Sequence, residues 1–159
     1  MTGIVVLNAA DAQRMAHLHA AAFPSDEAWT AESFEELFAL SSTLALGIEG
    51  DLSLSSLVVF QKMAPQAEIL TFATAPTSQR KGYATTLLSG SLKILNQHGV
   101  YEILLDVAED NQPAMTFYKQ NGFRENGRRK GYYRRSARPH VDAILMSLTS
   151  TGHTTPKRA

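Results

Sequence analysis

The sequence contains no cysteine among its 159 residues. A disulfide framework, a cysteine nucleophile and a thiolate metal site are therefore excluded. Long hydrophobic runs are also missing, because every apolar stretch falls far short of the roughly 20 residues that a membrane-spanning helix needs. The first residues lack the positively charged segment that opens a secretory signal peptide. We therefore expect a cytoplasmic protein that does not contact a membrane.

Net charge is absent as well, but the charges that cancel are unevenly distributed. Residues 1–70 contain nine acidic and two basic side chains, whereas residues 71–159 contain six acidic and thirteen basic ones. The two parts therefore carry formal charges of −7 (two minus nine) and +7 (thirteen minus six). A basic second half is typical of a protein that binds a polyanion there. The alternative is solvated surface charge without a ligand.

Length and composition predict one globular domain. A chain of 159 residues has the ordinary length of a single domain, and its hydrophobic fraction of 44% supplies enough apolar side chains for a core. We expect this domain to cover residues 1–148. The segment 149–159 has no apolar periodicity and is predicted to be a disordered tail.

The most informative stretch is a predicted strand, loop and helix over residues 67–98. Branched and aromatic side chains favour a strand at 67–74, and Pro76 ends it because proline has no N–H to donate. Helical spacing of the apolar side chains predicts a helix over about 82–98. Since the free N–H groups and the positive end of a helix attract anions, the intervening loop 75–81 is predicted to lie at a phosphate site.

This loop matches neither of the two commonest phosphate-binding motifs. A Walker loop places Ser or Thr after Gly-Lys, whereas the order here is Lys81-Gly82-Tyr83. A dinucleotide fingerprint needs three spaced glycines, and only Gly82 is present. On its own Gly82 is equally consistent with a simple helix start. The neighbouring cations Arg80 and Lys81 favour the anion site.

Hydrophobic periodicity and chain-breaking residues predict the other elements. They are a strand at 4–7, a helix from Asn8 or Asp11 to about 22, a helix at 31–40 behind the N-cap Thr30, hairpin strands at 43–48 and 53–63, a strand at 101–107, a helix from 110 to about 120, and an antiparallel pair at 123–133 and 141–148. The apolar face of the second helix is expected to comprise Phe34, Leu37, Phe38 and Leu40. This order predicts an α/β fold with a mixed sheet and helices on both faces.

Several spaced motifs resemble one enzyme family. They are Gln79-Arg80-x-Gly82-x-Ala84, Asn111 with Ala114, Phe117-Tyr118, and Asn121-Gly122-Phe123. In this order they are similar to the GNAT family of acyl-CoA N-acyltransferases, over roughly residues 5–148. The resemblance implies a GNAT fold, in which two central parallel strands separate like a V. Here those strands are 67–74 and 101–107.

Further motifs resemble one subgroup, the ribosomal-protein-alanine N-acetyltransferases (RimI-like enzymes). These motifs are Ala22-Phe23-Pro24 with Trp29, then Arg129-Lys130-Gly131-Tyr132-Tyr133, and Asp142-Ala143-Ile144-Leu145-Met146. By this resemblance Trp29, Tyr132 and Tyr133 border the groove that receives the acceptor substrate. The alternative for Trp29 is a place in the core.

The family resemblance implies acetyl-CoA as the acyl donor and no metal. Main-chain amides of the loop would hold its pyrophosphate, and the edge of the strand at 67–74 would bind its pantetheine arm as it would bind a peptide. The residues implied in cofactor binding are Phe72, Ala73, Thr74, Gln79, Arg80, Lys81, Gly82, Tyr83, Ala84, Asn111 and Tyr118. Asn111 also suits a helix N-cap, and the two roles are compatible.

Acyl transfer from a thioester to an amine needs a neutral amine and a proton donor for the leaving thiolate. Tyrosine has a pKa near 10 and is protonated at neutral pH, and by resemblance Tyr118 is the general acid. Asp106 stands where the RimI-like subgroup has glutamate, and Glu68 stands where the family often has a base that acts through water. Either carboxylate is a candidate base. The alternative for Tyr118 is a place in the core, and the alternative for Asp106 and Glu68 is a purely structural role.

The basic segment 124–138 contains most of the predicted strand 123–133 and the loop that follows it. Its cations would suit acidic residues that follow the acetylated one. No direct nucleic-acid partner is expected, although proximity to RNA around a protein substrate is a rival interpretation. A solvated edge that deters strand pairing is another.

The free energy of deprotonation favours an α-amine as the acceptor. An α-amine has a pKa of about 7.7–8.0 and lysine of about 10.4, so the neutral amine costs roughly 1 kcal/mol for a protein N-terminus and more than about 4 kcal/mol for lysine at pH 7. We therefore expect acetylation of a protein N-terminus. Acetylation of a small-molecule amine is the second hypothesis, and a non-catalytic acyl-CoA-binding module is the third.

Overall fold

The computed structural model describes residues 3–135 and 138–150. Its strands are β1 (Ile4–Leu7), β2 (Thr43–Glu49), β3 (Leu54–Met63), β4 (Gln66–Thr74), β5 (Glu102–Ala108), β6 (Arg124–Arg135) and β7 (Arg138–Thr149). Its helices are α1 (Ala12–Ala22), α2 (Ala31–Phe38), α3 (Tyr83–Gln97) and α4 (Gln112–Gln120), with single 3-10 turns at Ala9–Asp11 and Pro76–Ser78. None of these helices is long and apolar enough to cross a membrane.

The seven strands form one mixed sheet in the order β1-β2-β3-β4-β5-β7-β6. Among the described pairs only β4 and β5 run parallel, and they pair over three positions that end at Glu68 and Leu104. Beyond Glu68 the two strands separate, so the remaining edge of β4 faces a cleft. The structure thus confirms the mixed sheet and its V-shaped opening.

A bulge in β4 changes the direction of its side chains at the cleft. Val59 of β3 pairs with Thr71 and Phe60 pairs with Ile69, which leaves Leu70 as the extra residue. Ile69 packs with the core on the α3 side of the sheet, whereas Leu70 packs with the core on the α1 side. The bulge therefore turns two successive residues, Leu70 and Thr71, towards α1.

Helices cover both faces of the sheet, as the sequence predicted. On one face Met15 and Leu18 of α1 and Phe34 of α2 pack in a buried cluster. On the other face the buried cluster contains Leu87, Leu88 and Leu95 of α3 and Met115 and Tyr118 of α4. These positions recur at helical spacing, so each helix buries one stripe against the sheet.

The helix starts follow local capping chemistry. The Thr30 hydroxyl accepts a hydrogen bond of 3.1 Å from the Ser33 N–H and begins α2, as predicted. Asn8 instead caps the short 3-10 turn, and α1 begins at Ala12. Asn111 accepts a bond of 3.2 Å from the Ala114 N–H, which confirms the expected N-cap of α4.

Three predictions about boundaries were wrong. Leu40 is not on the apolar face of α2, because the helix ends at Phe38 and Leu40 is 51% exposed. The loop expected at 134–140 is largely strand, because β6 continues to Arg135 and β7 begins at Arg138. The tail does not begin at residue 149, because β7 includes Thr149 and the Ser150 N–H donates to the Tyr101 carbonyl at 2.7 Å. Residues 151–159 lie outside the described residues.

Candidate active site

The cleft between β4 and β5 contains a cavity of about 360 Å³. Its lining includes Thr71 and Phe72 of β4, Asp106 of β5, Asn111 and Tyr118 at α4, and Trp29 and Tyr133 from two other segments. The separation of the two parallel strands creates this space, so the cavity follows directly from the fold. Residues that are distant in the sequence meet there.

Tyr118 extends from α4 into the cleft and is only 7% exposed. The ring packs edge-on against Phe123 at a centroid distance of 5.2 Å, and the Phe123 N–H donates to the Tyr118 carbonyl at 3.0 Å. This contact at the end of α4 holds the tyrosine in place. Burial, with a smaller contribution from nearby Tyr133, raises the pKa of the Tyr118 phenol well above its usual value. The phenol is therefore neutral over the physiological range.

Glu68 and Asp106 project from the other face of the sheet. Ile103 and Leu105 of β5 pack with α3 and α4, so the alternate side chain of Asp106 points to the opposite face. Asp106 lines the cavity, whereas Glu68 lies outside its lining, at the last parallel pair. Burial and then the negative charge of Asp106 raise the pKa of Glu68, and Arg129 opposes this effect. The Tyr118 phenol and the Asp106 carboxylate thus approach the cleft from opposite faces of the sheet.

A second cavity, of about 180 Å³, lies at the start of α3. Its lining includes Thr74, Gln79, Arg80, Gly82, Tyr83, Ala84 and Phe117. Gly82 adopts φ of +81°, a left-handed conformation that favours glycine, while a Cβ placed there would meet no atom within 4 Å. Backbone conformation rather than space therefore requires this glycine. Within residues 3–135 and 138–150 no side chain caps α3, so its first N–H groups are left for an anion.

The two cavities are neighbours across a pair of aromatic rings. Phe72 lines the first, Phe117 lines the second, and their ring centroids are 5.5 Å apart. Among the described strands, none pairs with the β4 edge beyond Glu68 on the side of β5, and this edge runs along the cleft towards the second cavity. An unpaired edge leading to a helix N-terminus fits an extended amide chain that ends in phosphates.

Two of the predicted cofactor residues direct their side chains elsewhere. Ala73 is 4% exposed and packs in the core on the α1 face of the sheet. Lys81 lines a different recess, beside Glu49 and Tyr83. Their side chains lie outside both cavities, and only their main-chain groups are positioned along the predicted path of the cofactor.

Two of the three residues predicted for the acceptor groove line the cleft. Trp29 and Tyr133 do so, and Glu27 and Arg134 lie beside them. Tyr132 is 50% exposed, lies outside the lining and stacks edge-on against Tyr133 at 5.2 Å. It therefore reaches the site only through its neighbour.

An ion-pair cluster attaches β6 to the end of β5. The Arg128 guanidinium donates to Asp142 at 2.7 Å and to Glu109 at 2.5 Å. The other oxygen of Asp142 accepts a bond of 2.8 Å from the Gly131 N–H, and this bond, followed by Arg128, lowers the pKa of the Asp142 carboxyl. Because Gly131 directly precedes the tyrosine pair, the cluster helps to position Tyr133 at the cavity.

Sequence reasoning missed His19, which is 1% exposed and lines the cavity. Its Nδ1 accepts a hydrogen bond of 3.0 Å from the Trp29 N–H, and its Nε2 lies 2.8 Å from the Thr71 hydroxyl oxygen. The ring stacks on Phe23 at 4.2 Å, one helical turn further along the chain. Burial lowers the pKa of His19 to about 4. The spacing of His19 and Phe23 was visible in the sequence, but Thr71 is 52 residues away.

Three features together define an acyl-CoA-dependent N-acetyltransferase. They are two parallel strands that separate, a helix N-terminus suited to a phosphate, and a phenol that faces carboxylates across the cleft. Residues 12–123 match the model of the acetyltransferase (GNAT) family, and the chain belongs to that family. The family uses acetyl-CoA, and the two cavities and the β4 edge fit such a ligand.

The relatives agree with the expected subgroup. The chain is 30% identical to the N-alpha-acetyltransferase RimI of Mycobacterium tuberculosis over 151 residues, or 92% of each chain. It is 31% identical to the [ribosomal protein bS18]-alanine N-acetyltransferase of Salmonella typhimurium over 66% of this chain and 70% of that one. The structure resembles the crystal structure of the ribosomal-protein-S18-alanine N-acetyltransferase from Escherichia coli, with a TM-score of 0.85 at 24% identity over 99% and 100% of the two chains.

Proposed function

We propose that this protein transfers the acetyl group of acetyl-CoA to the N-terminal α-amine of a protein, in the manner of the ribosomal-protein-alanine enzymes. The observation that carries this proposal is the cleft itself, where the neutral phenol of Tyr118 and the carboxylate of Asp106 approach from opposite faces of the sheet. The names of the relatives support a protein N-terminus as the acceptor.

In this proposal the donor binds along β4 and the start of α3. The pantetheine arm pairs with main-chain groups of residues 72–74, and the N–H groups around Gly82 bind the pyrophosphate. Arg80 adds positive charge beside them. Asn111, which already caps α4, lies on the opposite wall and bonds to the pantetheine from there.

Proton transfer is divided between the two faces of the sheet. Tyr118 gives its proton to the departing thiolate, and its raised pKa keeps that proton available at neutral pH. Asp106 is the first candidate for the base because it lines the cavity. Glu68 acts with it through water, and burial, followed by the negative charge of Asp106, raises the pKa of Glu68 and so strengthens it as a base.

An α-amine suits this machinery better than a lysine side chain does. Freeing an α-amine of its proton at pH 7 costs roughly 1 kcal/mol, within the reach of a base that acts through water. Trp29 and Tyr133 form the walls that receive the terminal residue. No direct nucleic-acid partner is part of this proposal, and proximity of RNA to the basic segment 124–138 stays a rival interpretation of its charge.

A small-molecule amine is the second candidate acceptor. Two carboxylates, Glu27 and Asp106, line the cavity, and such groups would also attract a cationic polyamine. The fold and the donor site would be the same in that case, and only the acceptor would differ.

One experiment separates these acceptors. The full chain is incubated with acetyl-CoA and, in parallel, with peptides bearing a free N-terminus, N-terminally blocked lysine peptides and polyamines, and the products are identified by mass spectrometry. We expect acetylation at the N-terminal amine of the peptides, with alanine-initiated peptides preferred. Turnover of polyamines alone would overturn the proposal in favour of the second candidate.

A further inference from the structure

We propose that the Thr71 hydroxyl binds the acceptor, by donating a hydrogen bond to the first carbonyl oxygen of the substrate, and that His19 is the positioning residue that orients this hydroxyl. The inference rests on the proposed function, because a protein N-terminus carries that carbonyl and a polyamine does not. It assigns a role to two residues that the sequence motifs do not contain.

The hydrogen bonds of His19 determine which ring nitrogen carries the proton. The Trp29 main-chain N–H donates to Nδ1 at 3.0 Å, so Nδ1 is unprotonated. The neutral ring must then carry its hydrogen on Nε2, which lies 2.8 Å from Thr71 Oγ1. The lowered pKa of His19 agrees with a neutral ring. His19 is therefore the donor and Thr71 is the acceptor in this contact.

The contact with His19 also determines which hydrogen bonds the Thr71 hydroxyl can still make. A hydroxyl can accept hydrogen bonds and donate one, and here its accepting side is used by His19. In the part of the chain that the structure describes, no group accepts the hydroxyl hydrogen. Thr71 is 8% exposed and lines the cavity, so its free hydrogen is available to a ligand there. A nearly buried donor without a partner is costly, and a bound acceptor oxygen would remove that cost.

The β4 bulge indicates which ligand receives this hydrogen bond. Thr71 faces α1 and the acceptor wall around Trp29, whereas the next residue, Phe72, packs with Tyr118 on the α4 side. The acid and the thioester belong to the α4 side, so Thr71 faces the incoming amine. In a protein N-terminus the polar atom nearest to that amine is the carbonyl oxygen of the same residue.

His19 also couples the hydroxyl to the acceptor wall. One ring binds the Trp29 main chain through Nδ1 and Thr71 through Nε2, and stacks on Phe23. The hydroxyl and the aromatic wall are thus held at a fixed distance from each other. Such a link positions two contacts to one small substrate residue at once.

The test compares Thr71→Val with Thr71→Ser on two acceptors. The first acceptor is an alanine-initiated peptide, and the second is the same peptide with its first peptide bond replaced by a trans-alkene, which keeps the shape but lacks the carbonyl oxygen. We expect Thr71→Val to lower kcat/KM roughly threefold to tenfold for the peptide, mainly through KM, the usual value of one neutral hydrogen bond. For the alkene analogue it should lower kcat/KM by less than about twofold, and Thr71→Ser should resemble the wild type.

A matched control is Thr43→Val. The Thr43 hydroxyl donates to the Leu37 carbonyl at 2.6 Å and lies outside the cavity lining, so this variant removes a half-buried hydroxyl without touching the site. It should leave KM for both acceptors unchanged. The KM for acetyl-CoA should be unchanged in all variants.

Two variants of His19 test the orientation of the hydroxyl. Gln places an amide N–H near the position of Nε2, whereas Asn places an amide near Nδ1. His19→Gln should therefore retain most of the discrimination between the peptide and its alkene analogue, and His19→Asn should lose it. If both variants retain it, His19 does not orient Thr71.

The outcomes distinguish this inference from the proposed function. If the wild-type protein does not acetylate the peptide, the proposed function fails and the inference fails with it. If the wild type acetylates the peptide and Thr71→Val lowers kcat/KM equally for both acceptors, only the inference fails. An unchanged kcat/KM in Thr71→Val has the same meaning.

Discussion

The donor side and the acceptor side of the cleft are built in different ways. The donor side comes mainly from one continuous stretch, β4 through α3, and offers main-chain groups at the β4 edge and at Gly82. The acceptor side combines α1, the segment before α2 and β6, and depends on individual side chains such as His19 and Tyr133. A main-chain site tolerates most side-chain changes, whereas a side-chain site changes with a single substitution. The acceptor can therefore vary while the donor stays the same.

The largest effect is expected where the two sides meet, at Tyr118. Tyr118→Phe removes the buried proton donor and should lower kcat about 100-fold or more, the usual range for loss of general acid catalysis. The affinity for CoA should change little, because the ring and its packing remain. Steady-state kinetics and calorimetric titration with CoA give the two values. Tyr101→Phe, directly before β5 and outside the cavity lining, is the matched control. An unaltered kcat in Tyr118→Phe would show that Tyr118 is not the acid.

Substitution of each carboxylate tests whether Asp106 or Glu68 is the base. Asp106→Asn should lower kcat/KM about tenfold to 100-fold, and Glu68→Gln should lower it by a smaller factor. The reason is that Asp106 lines the cavity and Glu68 does not. A pH profile of kcat/KM provides a second measurement. Burial and Asp106 raise the pKa of Glu68, so Asp106→Asn should shift the ionisation of Glu68 to lower pH. The reverse ranking of the two variants would make Glu68 the principal base.

Substitution of the two glycines that flank α3 distinguishes an effect on donor binding from an effect on stability. Gly82 and Gly99 flank the helix with φ of +81° and +79°, and in neither case does a Cβ meet an atom within 4 Å. Alanine at either position should therefore destabilise the fold by a similar amount, about 1–2 kcal/mol. Only Gly82→Ala should also raise KM for acetyl-CoA, roughly tenfold, because its main chain lies at the second cavity. Equal values of KM in the two variants would show that the loop does not bind the donor.

The donor side could be predicted from the sequence because its signals are local. Pro76 after a β-branched run, Gly82 before an apolar helix and Asn111 before Pro113 each determine the structure of their neighbours directly. The V between β4 and β5 came from the family resemblance. Its geometric cause, pairing that stops at Glu68 and a bulge at Leu70, depends on contacts with β3 and β5 that periodicity does not reveal.

The acceptor side was less predictable because its contacts are long-range. Trp29 and Tyr133 were identified through motifs, but the role of His19 depends on Thr71, which lies 52 residues further along the chain. The strand in the basic segment 124–138 was predicted to end at residue 133, because the charges and glycines there obscure the alternation of a strand. Its pairing with β7 through several bulges overrides that local signal.

The smallest effect at neutral pH is expected for the loss of stability in acid that the buried His19 ring causes. The folded protein holds the pKa of His19 at about 4, whereas an unfolded chain protonates histidine near 6.5. Below about pH 6.5 the unfolded state therefore binds the extra proton, and stability falls until about pH 4. Across that range the loss attributable to this residue is about 3 kcal/mol, from a pKa difference of about 2.5 at about 1.36 kcal/mol per unit. Urea unfolding at pH 7.0 and 4.5 should show a smaller pH dependence in His19→Gln than in the wild type. His17→Gln, at an exposed position of the same helix, should retain the wild-type dependence; equal slopes in His19→Gln and the wild type would mean that the buried ring does not resist protonation.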